Sequence, residues 1–95
     1  MEKIKVTTST GFKAEVDPRL DDDFDYAEMI SDLYETGAGL SKCIKHVIGA
    51  NGYERLKKHC REKDGFLSSE KIKQEFQEIT NAKVDEDLDV SLKNS

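Results

Sequence analysis

Ninety-five residues leave room for one domain, and 36% hydrophobic against 37% charged residues means that its core must be small. A net charge of -5 argues against general nucleic-acid binding, which needs a basic footprint to displace counterions. No run approaches the ~18 consecutive apolar residues of a membrane span, and Met1–Lys5 lacks the apolar stretch of a signal peptide, so a soluble, cytoplasmic chain is expected.

The first sixteen residues read as a β-hairpin. Ile4, Val6 and Thr8 alternate with Lys3, Lys5 and Thr7, and Phe12, Ala14 and Val16 alternate with Lys13 and Glu15, around a Ser9-Thr10-Gly11 connection. One face is apolar and the other charged. A lone hairpin is marginal in water, so the apolar face must lie on helices.

Asp17-Pro18 ends the second strand and offers a cap and a first-turn proline for a helix. Asp21, Asp22, Asp23 and Asp25 follow, acids that oppose the positive end of a helix dipole. Tyr26, Met29, Ile30 and Leu33 then mark one helical face, which Gly37 and Gly39 bring to an end.

A second helix is expected over about Leu40–Ile48, with Leu40, Cys43, Ile44, Val47 and Ile48 inward and Gly49 as its C-terminal cap. Asn51 and Glu54 are spaced to open a third, with Tyr53, Leu56 and Cys60 as its apolar stripe. Asp64-Gly65 makes a turn. Ser68 caps a fourth helix running to about Thr80, with Leu67 and Ile72 spaced as a hydrophobic staple and Phe76 and Ile79 facing the core.

The expected architecture is therefore α+β: a hairpin over 1–16, a bundle of about four short helices over 20–80, and both in one globular domain, 1–80. From Asn81 onward acids alternate with Val84, Leu88, Val90 and Leu92 without cap or turn signals, and 81–95 is expected to be a flexible acidic tail.

The charge is distributed unevenly. Residues 15–36 hold nine acids and one base, whereas residues 42–63 hold seven bases and two acids. One explanation is packing of the acidic helix beside the basic ones within a subunit. The other is weak self-association, or a partner of matching polarity, met by Arg55, Lys57, Lys58 and Arg61 on the solvated side of the third helix.

Metal and catalytic constellations fit poorly. Cys43, His46, His59 and Cys60 are all zinc-ligand types, but adjacent His59 and Cys60 point about 100° apart on a helix and no spaced pair is completed. A calcium loop centred on Gly65 would put Cys60 first and Lys71 last, both wrong ligands. The Gly-Ala-Asn-Gly joint is loose for a helix-turn-helix. No nucleophile and base are paired by spacing, and no glycine-rich phosphate loop occurs, so no metal, cofactor or catalytic residue is expected. The two cysteines are expected to be reduced and buried.

The order of parts carries more. Ser9-Thr10-Gly11-Phe12 in the hairpin is followed by the acidic Asp22-Asp23-Phe24 helix and by a helix ending Val47-Ile48-Gly49. A lysine-rich helix then ends Arg61-Glu62-Lys63-Asp64-Gly65, before the capped amphipathic helix. Over about residues 4–80 this resembles the small tail assembly chaperones of long-tailed phages and prophages, especially those of Gram-positive hosts. The resemblance implies a non-enzymatic protein without cofactors that binds the long, aggregation-prone tape measure protein and helps the major tail protein polymerise around it. The alternative is a small phage-encoded regulatory or inhibitory protein acting on a host factor.

Overall fold

In the computed structural model, which describes residues 2–94 and side chains over 2–81, strands β1 (Ile4–Thr7) and β2 (Lys13–Val16) form an antiparallel hairpin. Three helices follow: α1 (Phe24–Thr36), α2 (Leu40–Cys60) and α3 (Ser69–Asn94). The α+β expectation holds, with three helices where about four short ones were expected. Helix α3 runs on to Asn94, past the end near Thr80 expected for the fourth helix and into the stretch 81–95 expected as a flexible acidic tail, whose side chains beyond Asn81 are outside those described.

The hairpin register pairs Ile4 with Val16, Lys5 with Glu15, Val6 with Ala14 and Thr7 with Lys13. Because side chains alternate across a strand, this register turns Val6, Ala14 and Val16 to the core and leaves Lys5 opposite Glu15 in solvent. The connection closes by two backbone bonds, Thr8 N–H to Phe12 carbonyl at 2.9 Å and Gly11 N–H to Thr8 carbonyl at 3.0 Å.

Helix α1 begins later than the Asp17-Pro18 signal suggested. Asp17 instead accepts hydrogen bonds from the Arg19 backbone at 2.8 Å and from its guanidinium, and a 3-10 turn at Leu20–Asp22 follows. The cap is Asp23, whose carboxylate accepts from the Tyr26 N–H at 3.2 Å. At its far end, the Gly37 N–H donates to the Leu33 carbonyl at 2.8 Å.

The second and third expected helices are one element, bent where the sequence placed the break. Gly49, at φ 80° and ψ 167°, leaves helical geometry, so two helical segments meet there at a kink and follow one another as one bent element. That backbone region is open essentially to glycine alone. Three residues on, Gly52 is buried, and a Cβ there would lie 3.0 Å from Cβ and Cγ1 of Ile48, so the packing leaves no room for a side chain.

The Asp64-Gly65 turn forms as expected, with Gly65 N–H bonded to the Glu62 carbonyl and Glu62 N–H to the Phe66 carbonyl. Ser68 caps α3, its Oγ accepting from the Lys71 N–H at 3.3 Å. Leu67 is half-buried and Ile72 buried, each against the core, as a staple requires.

A single core joins these parts. Val16, Cys43, Ile44, Leu56 and Ile79 are fully buried, with Val6, Phe12, Val47, Ile72 and Phe76 around them. Burying an aliphatic side chain of this size contributes about 1.5–3 kcal/mol. Ile44, Val47, Leu56 and Phe76 all lie inside, in agreement with the helical periodicity.

Two substitutions check this architecture. Phe76→Ala should destabilise by about 3–5 kcal/mol, whereas Phe24→Ala, at a side chain 75% exposed, should stay within about 0.5 kcal/mol of wild type. Gly49→Ala meets no steric obstacle within 4 Å and should still cost about 1–3 kcal/mol through backbone strain. Urea unfolding of the three variants measures all of these, and a neutral Gly49→Ala would contradict the non-helical backbone at the bend.

Candidate partner-binding surface

The four basic residues singled out in the sequence come together. Arg55, Lys57, Lys58 and Arg61 surround Glu54 along an open surface concavity of about 410 Å³ on the second half of α2. Their roles differ. The Arg55 guanidinium donates to the Lys13 carbonyl at 3.0 Å and lies over the Phe12 ring, 5.4 Å from its centroid. It is therefore a tie between α2 and β2 as well as a surface charge.

Lys57 is held from two sides. Its ammonium pairs with Glu54 at 2.8 Å and sits 4.7 Å from the centroid of Tyr53, a cation–π arrangement. That pairing holds the exposed Glu54 carboxyl below the usual carboxylate range. Arg61 donates to the Gly65 carbonyl at 2.8 Å and so braces the turn before α3. Lys58 is exposed and carries its charge to solvent.

The fold extends this basic surface in a way that local sequence reading did not anticipate. Lys3, Lys5 and Lys13 share the outer face of the hairpin and meet Arg55 across a wide cleft of about 820 Å³ beside Gly49, in which Glu15 is the opposing charge. The strand alternation had placed these lysines on one face. What was missing was the knowledge that this face adjoins α2.

The four zinc-type residues are drawn to different places. His46 Nε2 lies 2.8 Å from the Asp23 carboxylate and its ring stacks on Tyr26, 6.4 Å between centroids and 7° from parallel. His59 Nε2 is 2.9 Å from Thr10 Oγ1 and 3.6 Å from Glu75 Oε1. Cys43 and Cys60 are free and buried, and burial pushes both thiols up, with the Glu75 charge adding to the effect at Cys60. Among the described residues, no group of three or more His, Cys, Asp and Glu is gathered as a metal site would require.

Glu75 went unnoticed in the sequence. It is only 4% exposed, and its Oε1 accepts from the hydroxyls of Thr8, at 3.3 Å, and Thr10. One turn later Glu78 accepts from the Ser9 N–H at 2.8 Å and from its hydroxyl at 2.9 Å. The hairpin tip is thus clamped to α3 by two carboxylates. Nothing local marks these partners, which lie 65 to 69 residues apart.

Helix α1 carries Asp25, Glu28, Asp32 and Glu35 without a base. Tyr26, Met29, Ile30 and Leu33 pack against the core without becoming fully buried, and burial raises the Tyr26 hydroxyl to about 12. Phe24 and Tyr34 stand 75% and 82% exposed. Among the described residues no helix is long and apolar enough to cross a membrane.

No protein-family model, curated protein or solved structure matches this chain.

The Asp23–His46 contact has a pH signature. The hydrogen bond from His46, followed by that from the Tyr26 N–H, holds the Asp23 carboxyl below its ordinary value. A carboxylate depressed in the folded state stabilises above its unfolded pKa, about 3.9, and loses that contribution as pH falls through the folded value. Asn caps a helix as well as Asp does, so Asp23→Asn removes mainly the charge. The variant should melt below wild type near neutral pH, and the gap should close as pH drops below about 4. Thermal melts across that range decide it, and a gap that widens in acid would show that the Asp23 charge does not stabilise the fold.

Proposed function

We propose that this chain is a non-enzymatic tail assembly chaperone of a long-tailed phage or prophage, acting in the cytoplasm of a bacterial host. Its client on this reading is the tape measure protein, with the major tail protein as a further partner. The observation that carries the reading is the order of parts itself. Hairpin, acidic helix, glycine-marked bend, basic helix, Asp64-Gly65 turn and Ser68-capped helix succeed one another in the order on which the resemblance rests.

The surface supports a binding role. Acidic α1 and the basic half of α2 occupy separate parts of the surface, and the partners that Arg55, Lys57 and Arg61 find lie on the hairpin, on α2 itself and on the turn after it. None of these partners lies on α1, which supports a charge polarity that acts between molecules. A chaperone that coats a long client benefits from weak, repeated contacts between its own copies. The overall negative charge fits neither nucleic acid nor an anionic membrane as partner.

Co-production with the tape measure protein of the same genome tests the reading. The client should remain in the supernatant and co-purify with this chain. A client that precipitates equally with and without it would overturn the assignment and leave the regulatory alternative.

Self-association gives a second test. Exposed ion pairs are screened over about 10 Å at 0.1 M salt, so sedimentation should show oligomers in dilute buffer that dissolve as salt rises. Lys58→Glu, at an exposed position, should abolish them with the fold intact. A monomer at every salt and protein concentration would exclude contacts between copies through the basic face.

A further inference from the structure

Helix α1 turns two different faces to its surroundings. Tyr26, Met29, Ile30 and Leu33 lie against the core. At about 100° per residue, Phe24, Glu28, Ser31 and Glu35 fall on the opposite side, and all four are exposed. Asp25 and Asp32 flank them, and α1 has no base to offset these acids. Phe24, 75% exposed, is the large apolar side chain of this outward face.

The cleft between the hairpin and α2 has the opposite character. Its lining holds Lys3, Lys5, Lys13 and Arg55 against a single acid, Glu15, in a volume of about 820 Å³. Gly49 and Ala50, both exposed, add an uncharged stretch at the bend. Among the described residues the ammonium groups of Lys5 and Lys13 make no ion pair, and neither do Glu28 and Glu35.

The spacings of the two surfaces match. Lys13 pairs with Thr7, so it stands four residues along the strand direction from Lys3, about 13 Å at roughly 3.3 Å per residue. Lys5 and Glu15 face each other between these two bases. On α1, Glu28 and Glu35 are seven residues apart, about 10.5 Å at 1.5 Å per residue, with neutral Ser31 between them. A helix laid along the hairpin brings each acid within reach of a lysine and sets Ser31 over the Lys5–Glu15 pair, so that no acid meets an acid. Phe24, one turn from Glu28, is suited to the uncharged stretch at Gly49 and Ala50, where its burial adds to the ion pairs.

We propose that the outward face of α1 of one copy docks in the hairpin–α2 cleft of a second copy. Charge sets the occupant: four bases against one acid call for an acidic surface, and the chain carries one of matching length at the same concentration as the cleft. The contact is heterologous, since each copy offers two different surfaces, and its repetition gives a row or a ring. It rests on the self-association that the charge polarity supports, and it names the surfaces that meet. It does not depend on the identity of a client.

The test uses the full chain. Concentrating isotopically labelled protein in dilute buffer should shift the amide signals of Glu28, Ser31 and Glu35 and of Lys5, Lys13 and Arg55 along one common curve, and added salt should reverse the shifts. Lys3→Glu with Lys13→Glu should weaken association by at least about tenfold, and so should Glu28→Lys with Glu35→Lys. All four side chains are exposed, so an unchanged circular-dichroism spectrum verifies each fold. An equimolar mixture of the two double variants should associate again, because each supplies the charge that the other now requires. Phe24→Ala should weaken association by about fivefold.

A wild type that stays monomeric at every salt and protein concentration overturns the proposal, and so does a mixture of the double variants that stays monomeric. If Lys58→Glu abolishes association while the hairpin double variant associates like wild type, α1 lies on the basic face of α2, which overturns the cleft and keeps self-association. Association through both surfaces without client retention in the co-production experiment removes the chaperone reading and keeps the contact. Client retention by a monomeric chain does the reverse.

Discussion

The structure depends on seating a hairpin that cannot stand alone. Two strands of four residues bury too little of themselves to persist in water. They become stable because Val6, Phe12, Ala14 and Val16 share one core with Ile44, Leu56 and Ile79 from the helices. Apolar contact is non-directional, so something else must fix orientation. Glu75 and Glu78 hold the tip at Thr8, Ser9 and Thr10, while Arg55 holds the second strand through the Lys13 carbonyl. The Glu75 carboxylate is buried to do this, and its Oε2 has no hydrogen-bond partner among the described residues. Burying such a group is unfavourable, and its three neighbours on Oε1 are what offset it.

The bend in α2 follows from the same need. Its buried positions run from Cys43, Ile44, Val47 and Ile48 to Gly52, Leu56 and Cys60. Along an unbroken helix, sixteen residues from Ile44 to Cys60 would carry the inward stripe about 160° around the axis. One core cannot receive both ends of such a stripe. The non-helical dihedrals of Gly49 reset the phase, and the missing side chain of Gly52 lets Ile48 close over the joint. A single element can then pack on α1 with its first half and on β2 with its second.

Much of this was legible locally because it is locally determined. The alternation of Lys5, Val6, Ala14 and Glu15 specified the hairpin faces, and the glycines at 37, 39 and 49 marked real changes of direction. Ser68 and Leu67 announced the start of α3. Two errors have identifiable causes. Asp17 was a chemically suitable cap, but it bonds Arg19, and the helix waits for Asp23. Gly49 was a correct breaking point but not an end, since a helix can bend through one unusual residue and resume. The clamp by Glu75 and Glu78 left no trace in the sequence, because its partners come together only when the chain has folded. The basic surface was visible as composition, whereas the carbonyl bonds of Arg55 and Arg61 and the adjoining hairpin lysines were not.

The two charged regions consequently have different standing in the molecule. The bases of α2 are partly structural: Arg55 secures the hairpin, Arg61 the turn, and Lys57 leans on Tyr53. Altering them perturbs stability as well as surface charge. The acids of α1 have no such burden beyond the cap at Asp23, and no residue of α1 is fully buried. An element with few buried contacts opens at low free energy relative to the rest of a fold. Among the described side chains, helix α1 is thus both the most acidic helix surface and the one whose position the core constrains least. It can move without unseating the hairpin, because the contacts that hold the hairpin run through α2 and α3.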